Sequence, residues 1–163
     1  RLMDLPQPLV LDADGINALA GHMDEWERRR GRVTVLTPHE GEFLRVGGDL
    51  SQGRTAAAED FARRSGAVVV LKGPGTVVAG PDGRCRVNTT GNCGMAKGGS
   101  GDVLSGVVLA LLGLGMDAFD ACCCAVWLHG RAGDLAAQEK GQWGMTPTDL
   151  LERLPQALRE VTE

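Results

Sequence analysis

Short apolar runs alternate with amphipathic stretches along the first half of the chain. Residues 8–12, 33–36 and 67–71 are mostly apolar over the length of a strand, and the first run ends in the carboxylate of Asp12. Between them, residues 17–30 and 51–66 place apolar side chains at helical spacing. Because nearly continuous apolar strands are typical of parallel sheets with both faces covered, the pattern predicts a parallel α/β sheet flanked by helices.

The second half of the pattern predicts a hairpin and three helices. Residues 76–79 and 84–87 flank the turn sequence Gly80-Pro81-Asp82-Gly83, which is typical of a β-hairpin. Helical periodicity returns further on, over residues 102–114, 118–137 and 148–162. The order of elements favours a single layered α/β domain over residues 1–163, with a sheet that is mostly parallel.

Capping residues mark two helix starts and one helix end. Thr37 is the predicted N-cap of one helix, with Pro38 at its first position and Glu40 completing a capping box. Ser51 is the predicted N-cap of the alanine-rich helix, and Gly66 is predicted to end it.

The composition is that of a globular protein and argues against two classes of function. Hydrophobic residues make up 43% and charged residues 23% of the chain, and the formal net charge is −4. That charge argues against a nucleic-acid-binding protein. The apolar run over residues 103–116 is interrupted by glycines and too short to span a bilayer, which argues against a membrane protein.

The five cysteines predict free thiols rather than disulfides or a zinc site. Residues 122–124 are three adjacent cysteines, which point about 100° apart on a helix and cannot bridge one another. Since the sequence contains no C-x-x-C pair, we expect buried thiols in a reducing cytoplasm.

Glycine is the compositional outlier, with 24 of 163 residues, and it is densest just before the helix at 102–114. The segment reads Gly91-Asn92-Cys93-Gly94-Met95-Ala96-Lys97-Gly98-Gly99-Ser100-Gly101-Asp102. A glycine-rich loop at a helix N-terminus leaves backbone N–H groups free to bind an anion, most often a phosphate. Neither a Walker A sequence nor a G-x-G-x-x-G at an early strand is present. Asp102, in the first turn, is either a helix cap or a general base in phosphoryl transfer.

This glycine-rich segment resembles a known family. Residues 88–106, including Met95 and Ala96, resemble the signature of the ADP/ATP-dependent NAD(P)H-hydrate dehydratases, a branch of the ribokinase-like superfamily. Other segments agree with the family in the same order, at 11–19, 36–42, 71–76, 129–134 and 148–151. The resemblance implies a ribokinase-like layered fold, with a mostly parallel sheet flanked by helices. It also implies that the chain corresponds to the later part of the domain and lacks the family's early N-terminal segment.

The resemblance implies a repair reaction on hydrated NADH and NADPH (NADHX and NADPHX). In the family, ADP or ATP phosphorylates the ring hydroxyl, after which phosphate leaves and the ring double bond returns. By match with the family, Asp102 is the base. Asp102 and His39 both contact the hydrate. The developing phosphate charge is held by the backbone of Gly98, Gly99, Ser100 and Gly101. The nucleotide contacts carried over are Lys72, Gly73, Pro74, Gly75, Thr76 and Gly101.

The resemblance also implies cofactors and partners. ADP or ATP is the phosphoryl donor, with Mg²⁺, and the choice between the two nucleotides stays open. A homo-oligomer and a fused or separate NAD(P)HX epimerase are expected, with no nucleic-acid or membrane partner. If the early segment is missing, these residues alone should bind nucleotide weakly, self-associate and show little dehydratase activity.

Simpler structural explanations stay open for several residues. Lys72 is alternatively an exposed strand end, and His39 is alternatively only part of a helix start. The carboxylates within residues 12–14 are either loop caps or part of a pocket, because ligands of open α/β sheets bind at such strand ends. His129 and Asp134 are expected to stabilise their own helix.

Two alternatives to the dehydratase function also stay open. A ribokinase-like kinase of a small alcohol, such as a vitamin precursor, would use the same anion site and the same base but release a stable phosphate ester. An inactive nucleotide-binding fragment would bind ADP without turnover.

Overall fold

The computed structural model describes residues 2–163, apart from the side chain of Met23. Its centre is a mixed five-stranded sheet whose spatial order follows the chain order. The strands are β1 (Leu9–Leu11), β2 (Thr34–Leu36), β3 (Val68–Leu71), β4 (Val77–Ala79) and β5 (Cys85–Val87). β1, β2 and β3 are parallel, and β4 and β5 form the predicted antiparallel hairpin. Since β4 is antiparallel to both β3 and β5, the other four strands run in the same direction. This mostly parallel sheet confirms the predicted fold class.

Helices cover both faces of the sheet. They are α1 (Ala13–Asn17), α2 (Met23–Glu27), α3 (Glu40–Arg45), α4 (Arg54–Ser65), α5 (Ser100–Gly113), α6 (Ala118–Gly144) and α7 (Pro147–Thr162). α1–α4 pack on one face, α5 and α6 pack on the other, and α7 lies against α6. Across residues 2–163, no helix has the length and apolar character needed to cross a membrane.

Alternate residues of β3 contribute to two separate cores. Val69 and Leu71 belong to the cluster that contains Phe61 of α4, whereas Val68 and Val70 pack with α5 and α6. Successive side chains of a strand point to opposite faces. An uninterrupted apolar strand therefore requires a helix layer on each side of the sheet, as the sequence predicted.

The continuous helix predicted over residues 17–30 is wrong. This part of the chain begins at the last residue of α1, continues through a turn and contains the whole of α2. Gly21 in that turn has φ +79°, a left-handed conformation that interrupts a helix and favours glycine. Trp26 on α2 is nevertheless buried, with its ring edge-on to Phe61. The apolar spacing reflected packing of two short helices rather than one long helix.

The N-cap predicted at Thr37 is wrong. Thr37 is buried after β2, and its hydroxyl donates to the backbone carbonyl of Leu11. His39 caps α3 instead, because its ring Nδ1 accepts hydrogen bonds from backbone N–H groups of the first turn. Glu42, rather than Glu40, completes the capping box by accepting from the backbone N–H of His39 at 2.8 Å.

The N-cap predicted at Ser51 is also wrong, whereas the predicted end of the same helix is confirmed. Ser51 donates its backbone N–H to the side chain of Asp49, a local turn that competes with capping. α4 therefore begins only at Arg54, after Gly53. Gly66 ends α4 with φ +72°, the left-handed C-cap that glycine adopts at low cost.

The long helix α6 continues past its predicted end at residue 137. It reaches Gly144 with a non-helical break at Gly141, whose φ is 72°. α7 then begins at Pro147 with Thr146 as its N-cap, one residue before the predicted start. The break bends the chain back, so that Lys97 of the glycine-rich segment can donate to the backbone carbonyl of Trp143 at 3.0 Å.

Candidate functional site

Two oppositely charged side chains meet at the carboxyl ends of the parallel strands. Asp12 directly follows β1 and Lys72 directly follows β3, and Lys72 Nζ donates to Asp12 Oδ1 at 2.7 Å. A Cβ added to Gly101, in the first turn of α5, would lie 3.3 Å from both Lys72 Nζ and Asp12 Oδ2. The ion pair therefore lies directly against the N-terminal turn of α5, where a larger residue would crowd it.

Lys72 holds Asp12 in its charged form. Partial burial acts against the charge of Asp12, but the hydrogen bond and positive charge of Lys72 outweigh it and lower the pKa of Asp12. Ser105 of α5 donates to the second carboxylate oxygen at 3.3 Å. Glu42, buried in α3, places its Oε2 3.9 Å from Lys72 Nζ. The ammonium is thus positioned by two carboxylates that come from different elements.

The N-terminal turn of α5 presents unbonded backbone donors. Within the described residues, no hydrogen bond is donated by the N–H groups of Gly98, Gly99, Gly101 and Asp102. Gly99 has φ +96°, the left-handed conformation expected of a glycine in this loop. Ser100 differs, because its N–H donates to the Lys97 carbonyl at 3.2 Å. The unbonded donors of this turn are therefore those of the three glycines and Asp102, whereas the Ser100 N–H is occupied, and the binding of a phosphate by this turn stays a prediction.

The side chain of Asp102 is exposed in the same turn and does not cap the helix. The N-cap position of α5 is Gly99, and no side-chain hydrogen bond caps the helix there. Across residues 2–163, the Asp102 carboxylate accepts no hydrogen bond. It is therefore free to accept a proton beside the unbonded N–H groups, as a general base requires.

Arg54 of α4 supports the turn formed by residues 72–76. Its Nη2 donates to the last carbonyl of β3 at 2.9 Å, and its Nη1 donates to the Pro74 carbonyl. Gly73 has φ +149°, a conformation that favours glycine, and a Cβ there would lie 2.6 Å from Arg54 Nη2. The Thr76 hydroxyl donates to the Gly73 carbonyl at 3.1 Å. The turn is thus stabilised by its own Thr76–Gly73 hydrogen bond and by the two hydrogen bonds from Arg54.

His39 lies beside Lys72, and their backbones form an isolated parallel bridge. Because its Nδ1 accepts hydrogen bonds from α3, the ring proton is assigned to Nε2, which lies 3.5 Å from Glu42 Oε1. The ring is 56% exposed. The structure brings His39 into the charged cluster, and its contact with a hydrated dinucleotide stays a prediction.

α6 supports the glycine-rich segment from behind. A Cβ on Gly133 would lie 2.3 Å from Met95 Sδ, so the loop packs directly on the helix backbone. Asp134 accepts hydrogen bonds at 3.0 Å from the backbone N–H of Gly91 and from the side chain of Asn92. The expectation that Asp134 stabilises only its own helix is therefore wrong.

His129 also contacts the glycine-rich segment rather than its own helix. Its Nε2 lies 2.9 Å from the backbone carbonyl oxygen of Ser100, at the start of α5. Burial, assisted by the charge of Lys72, lowers the pKa of His129 to about 4, although the Ser100 hydrogen bond acts in the opposite direction. The imidazole is therefore neutral at physiological pH, and the expectation that it stabilises only α6 is wrong.

A cavity of about 250 Å³ lies between the hairpin and α6. Residues that line it include Val78, Val87, Asn88, Cys123, Val126 and Trp127. It adjoins the turn at residues 72–76, because a Cβ on Gly75 would lie 3.4 Å from Val87 Cγ1. The backbone N–H of Asn88 also donates to the Thr76 carbonyl at 2.8 Å. The cavity therefore lies along the hairpin, next to the turn that follows Lys72.

The adjacent cysteines are packing residues. Cys122 is buried, and burial raises the pKa of its thiol to about 12. Burial also raises the pKa of Cys123 to about 11. Both thiols are therefore protonated and unreactive at neutral pH, as expected from the sequence. The expectation of buried thiols holds fully for Cys122, whereas Cys85, Cys123 and Cys124 are half-buried and Cys93 is exposed.

The sequence reasoning named Lys72 and the carboxylates of residues 12–14 separately but missed the pairing of Lys72 with Asp12, and it gave no role to Glu42, Arg54 and Ser105. Asp12 and Lys72 both follow parallel strands directly, and that shared position could have paired them. Glu42 sits two residues from the predicted capping glutamate. The contributions of Arg54 and Ser105 had no signal in the sequence, because each depends on the packing of a helix against a distant strand end.

The layered sheet with helices on both faces is that of the ribokinase-like class, and the unbonded donors and the charged cluster lie together beside the first turn of α5. The sequence matches the NAD(P)H-hydrate dehydratase family over residues 2–156, and the chain belongs to this family.

Similar proteins extend this assignment. The chain is 47% identical over 161 residues to the bifunctional NAD(P)H-hydrate repair enzyme Nnr of Thermofilum pendens, covering 96% of this chain and 30% of that protein. It is 42% identical over 140 residues to the ADP-dependent (S)-NAD(P)H-hydrate dehydratase of Neisseria meningitidis, covering 83% of this chain and 47% of that one.

A solved structure shares the fold. The ADP/ATP-dependent NAD(P)H-hydrate dehydratase of Bacillus subtilis, co-crystallised with ATP and Mg²⁺, superposes with a TM-score of 0.81 at 34% identity. The match covers 98% of this chain and 57% of that one. The chain therefore spans between about a third and three fifths of the length of these relatives.

Proposed function

We propose that this chain carries the nucleotide and phosphoryl-transfer part of a site that dehydrates hydrated NADH and NADPH. The observation that carries the proposal is the exposed, unbonded carboxylate of Asp102 beside unbonded backbone N–H groups and the Lys72 ammonium. This is the arrangement that phosphoryl transfer to a hydroxyl requires. Membership of the dehydratase family supplies the substrate class.

The chemistry begins with the hydroxyl of the hydrated ring, because hydroxide is a poor leaving group. Asp102 accepts the hydroxyl proton as the oxygen attacks the terminal phosphorus of ADP or ATP, and the bond to the bridging oxygen breaks to release AMP or ADP. The N–H groups of Gly98, Gly99 and Gly101 stabilise the charge that develops on the transferred group. Phosphate then leaves with the ring oxygen, assisted by the ring nitrogen's lone pair, and the double bond returns when the neighbouring ring carbon loses a proton.

The nucleotide would lie along the turn and the adjoining cavity. Lys72 places a positive charge at the phosphate end, and the turn at residues 72–76 separates it from the cavity beside Val87 and Asn88. Ligand cavities are typically apolar with a few placed polar groups. The base of ADP or ATP is the part of the nucleotide that fits such surroundings.

Mg²⁺ would be held with the nucleotide rather than by a protein cage. In the part of the chain that the structure describes, no group of three or more His, Cys, Asp and Glu side chains could hold a metal. Mg²⁺ commonly binds through one or two carboxylates together with substrate phosphates. Asp12 and Glu42 approach the same ammonium and fit this mode. Bound there, the ion would neutralise charge on the phosphates.

The proposal includes partners and location. The bifunctional relatives support an NAD(P)HX epimerase as a fused or separate partner. Homo-oligomers and a cytoplasmic location complete the proposal, the latter consistent with thiols that are free rather than paired.

The test is product analysis with the intact protein, hydrated NADH, Mg²⁺ and either ADP or ATP. The expected result is recovery of dihydronicotinamide absorbance together with an equal amount of free phosphate. A stable phosphate ester would instead identify a kinase of a small alcohol when such alcohols are supplied. Nucleotide binding without turnover of any substrate would identify a binding module.

A further inference from the structure

The hydrogen bond between His129 and Ser100 acts on a single peptide unit at the start of α5. A carbonyl oxygen can only accept, so His129 Nε2 carries the proton and donates it across 2.9 Å. The same peptide unit contains the N–H of Gly101, and a planar trans peptide points its C=O and N–H in opposite directions. Because His129 of α6 holds the Ser100 carbonyl, the N–H of Gly101 in the same peptide is fixed pointing away from His129.

We propose that His129 is a positioning residue for the anion site, which orients and polarises the Ser100–Gly101 peptide so that the Gly101 N–H binds phosphate. The inference deepens the proposed function and rests on it. A hydrogen bond accepted by a carbonyl strengthens the donor at the other end of the same peptide, because hydrogen bonds in a chain polarise one another. His129 would therefore influence a phosphate that it does not touch.

The surroundings of His129 are suited to this role. The ring is partly buried, and the neighbouring Lys72 ammonium disfavours a second positive charge. A neutral imidazole has one donor, and here the Ser100 carbonyl takes it. Gly101 also lies against Lys72 and Asp12, so a tilt of its peptide plane would disturb the cluster at the same point.

Two substitutions distinguish the hydrogen bond that His129 donates from the volume that its side chain fills. His129→Gln keeps an N–H donor at the reach of Nε2, whereas His129→Leu keeps bulk and removes the donor. In the intact protein, His129→Leu should weaken ADP binding by about tenfold, the equivalent of one net hydrogen bond. His129→Gln should stay within about threefold of the parent. His22→Leu, at the exposed start of α2, is the matched control and should leave ADP affinity unchanged.

Nuclear magnetic resonance of the protein without nucleotide gives a second readout that does not depend on activity. The Gly101 amide nitrogen should shift in His129→Leu and return towards the parent value in His129→Gln. In the parent at neutral pH, the imidazole nitrogens should show a protonated Nε2 and an unprotonated Nδ1, which requires no variant to fold.

The outcomes distinguish this inference from the proposed function. A parent protein that binds neither ADP nor ATP overturns the proposed function, whatever the amide shifts show. A parent that binds ADP, with unchanged affinity in His129→Leu, overturns the positioning role. Equal losses in the Gln and Leu variants also overturn it, as does an imidazole protonated on Nδ1 alone.

Discussion

Lys72 and Asp12, sixty residues apart in the sequence, form a 2.7 Å ion pair that joins the ends of β3 and β1 across the first turn of α5. The pair fixes a positive charge beside the unbonded N–H groups of that turn. An ammonium held in this way loses little side-chain entropy when a phosphate arrives, which is the physical advantage of a preformed site.

Replacing Lys72 by Met should lower the free energy of unfolding by about 1–2 kcal/mol at neutral pH, because Asp12 would stay partly buried without its partner. Lys72 lowers the pKa of Asp12, so the pair stabilises the fold above the unfolded pKa of the carboxyl. That contribution is lost as pH falls through the lower folded pKa.

Denaturant titrations at neutral and acidic pH measure this effect. The difference between parent and Lys72→Met should shrink in acid. Arg30→Met is the control, because Arg30 pairs with Glu27 at 3.0 Å on the surface and such pairs contribute little. Equal losses in the two variants would argue against a special contribution from the pair.

Gly101→Ala should weaken ADP binding by roughly 1–3 kcal/mol, the cost of a strained or lost charge-assisted hydrogen bond. The added Cβ would lie 3.3 Å from Lys72 Nζ and Asp12 Oδ2. Gly106→Ala in the same helix meets open space and should keep its affinity while gaining helix stability. Isothermal titration calorimetry with both variants, checked for folding by circular dichroism, decides the question. Unchanged affinity in Gly101→Ala would show that the phosphate of ADP does not bind at this turn.

Asp102→Asn should lower turnover by about 10²-fold or more, because the amide cannot accept the hydroxyl proton, and should change nucleotide affinity little. Asp120→Asn is the matched control, since Asp120 is likewise exposed in the first turn of a helix, α6. Initial rates and ADP affinity are measured on the same preparations of the intact protein. Full activity in Asp102→Asn would require a different base.

Arg54→Ala should weaken ADP binding by about 1–2 kcal/mol, because the turn at residues 72–76 would lose two hydrogen bonds from a charged donor. Those bonds reach the Pro74 carbonyl and the last carbonyl of β3. Arg63→Ala on the same helix removes an exposed guanidinium and should leave ADP affinity unchanged. If both variants bind like the parent, Arg54 supports the fold only.

The pH dependence of stability should report on His129. Its pKa is lowered mainly by burial, from 6.5 to about 4. In that range the unfolded chain takes up a proton at this residue and the folded chain does not. The free energy of unfolding should therefore fall as pH decreases from about 6.5 to about 4, by at most about 3 kcal/mol, and this part of the slope should then level off.

Comparison with His129→Gln isolates that contribution, because glutamine does not titrate. The variant should have a flatter profile between the two pKa values, whereas His22→Gln should follow the parent. Parallel profiles for the parent and His129→Gln would contradict a neutral, buried imidazole.

The strands and the hairpin were determined by local sequence. Residues 67–71 are apolar throughout, and a strand with two buried faces follows from that pattern alone. The turn from Gly80 to Gly83 and the C-cap at Gly66 depend on φ and on hydrogen bonds within a few residues. Such features need no distant partner, so the sequence predicted them.

The helix starts and the charged cluster were decided by tertiary structure. The Thr37 hydroxyl donates to the carbonyl of Leu11 in another strand and therefore does not cap α3. The bonds of Lys72 to Asp12 and of His129 to Ser100 join residues 60 and 29 positions apart. Side chains with several possible partners choose among them only after the sheet and helices have packed, because the geometry of a hydrogen bond is set by distant backbone positions rather than by neighbouring sequence.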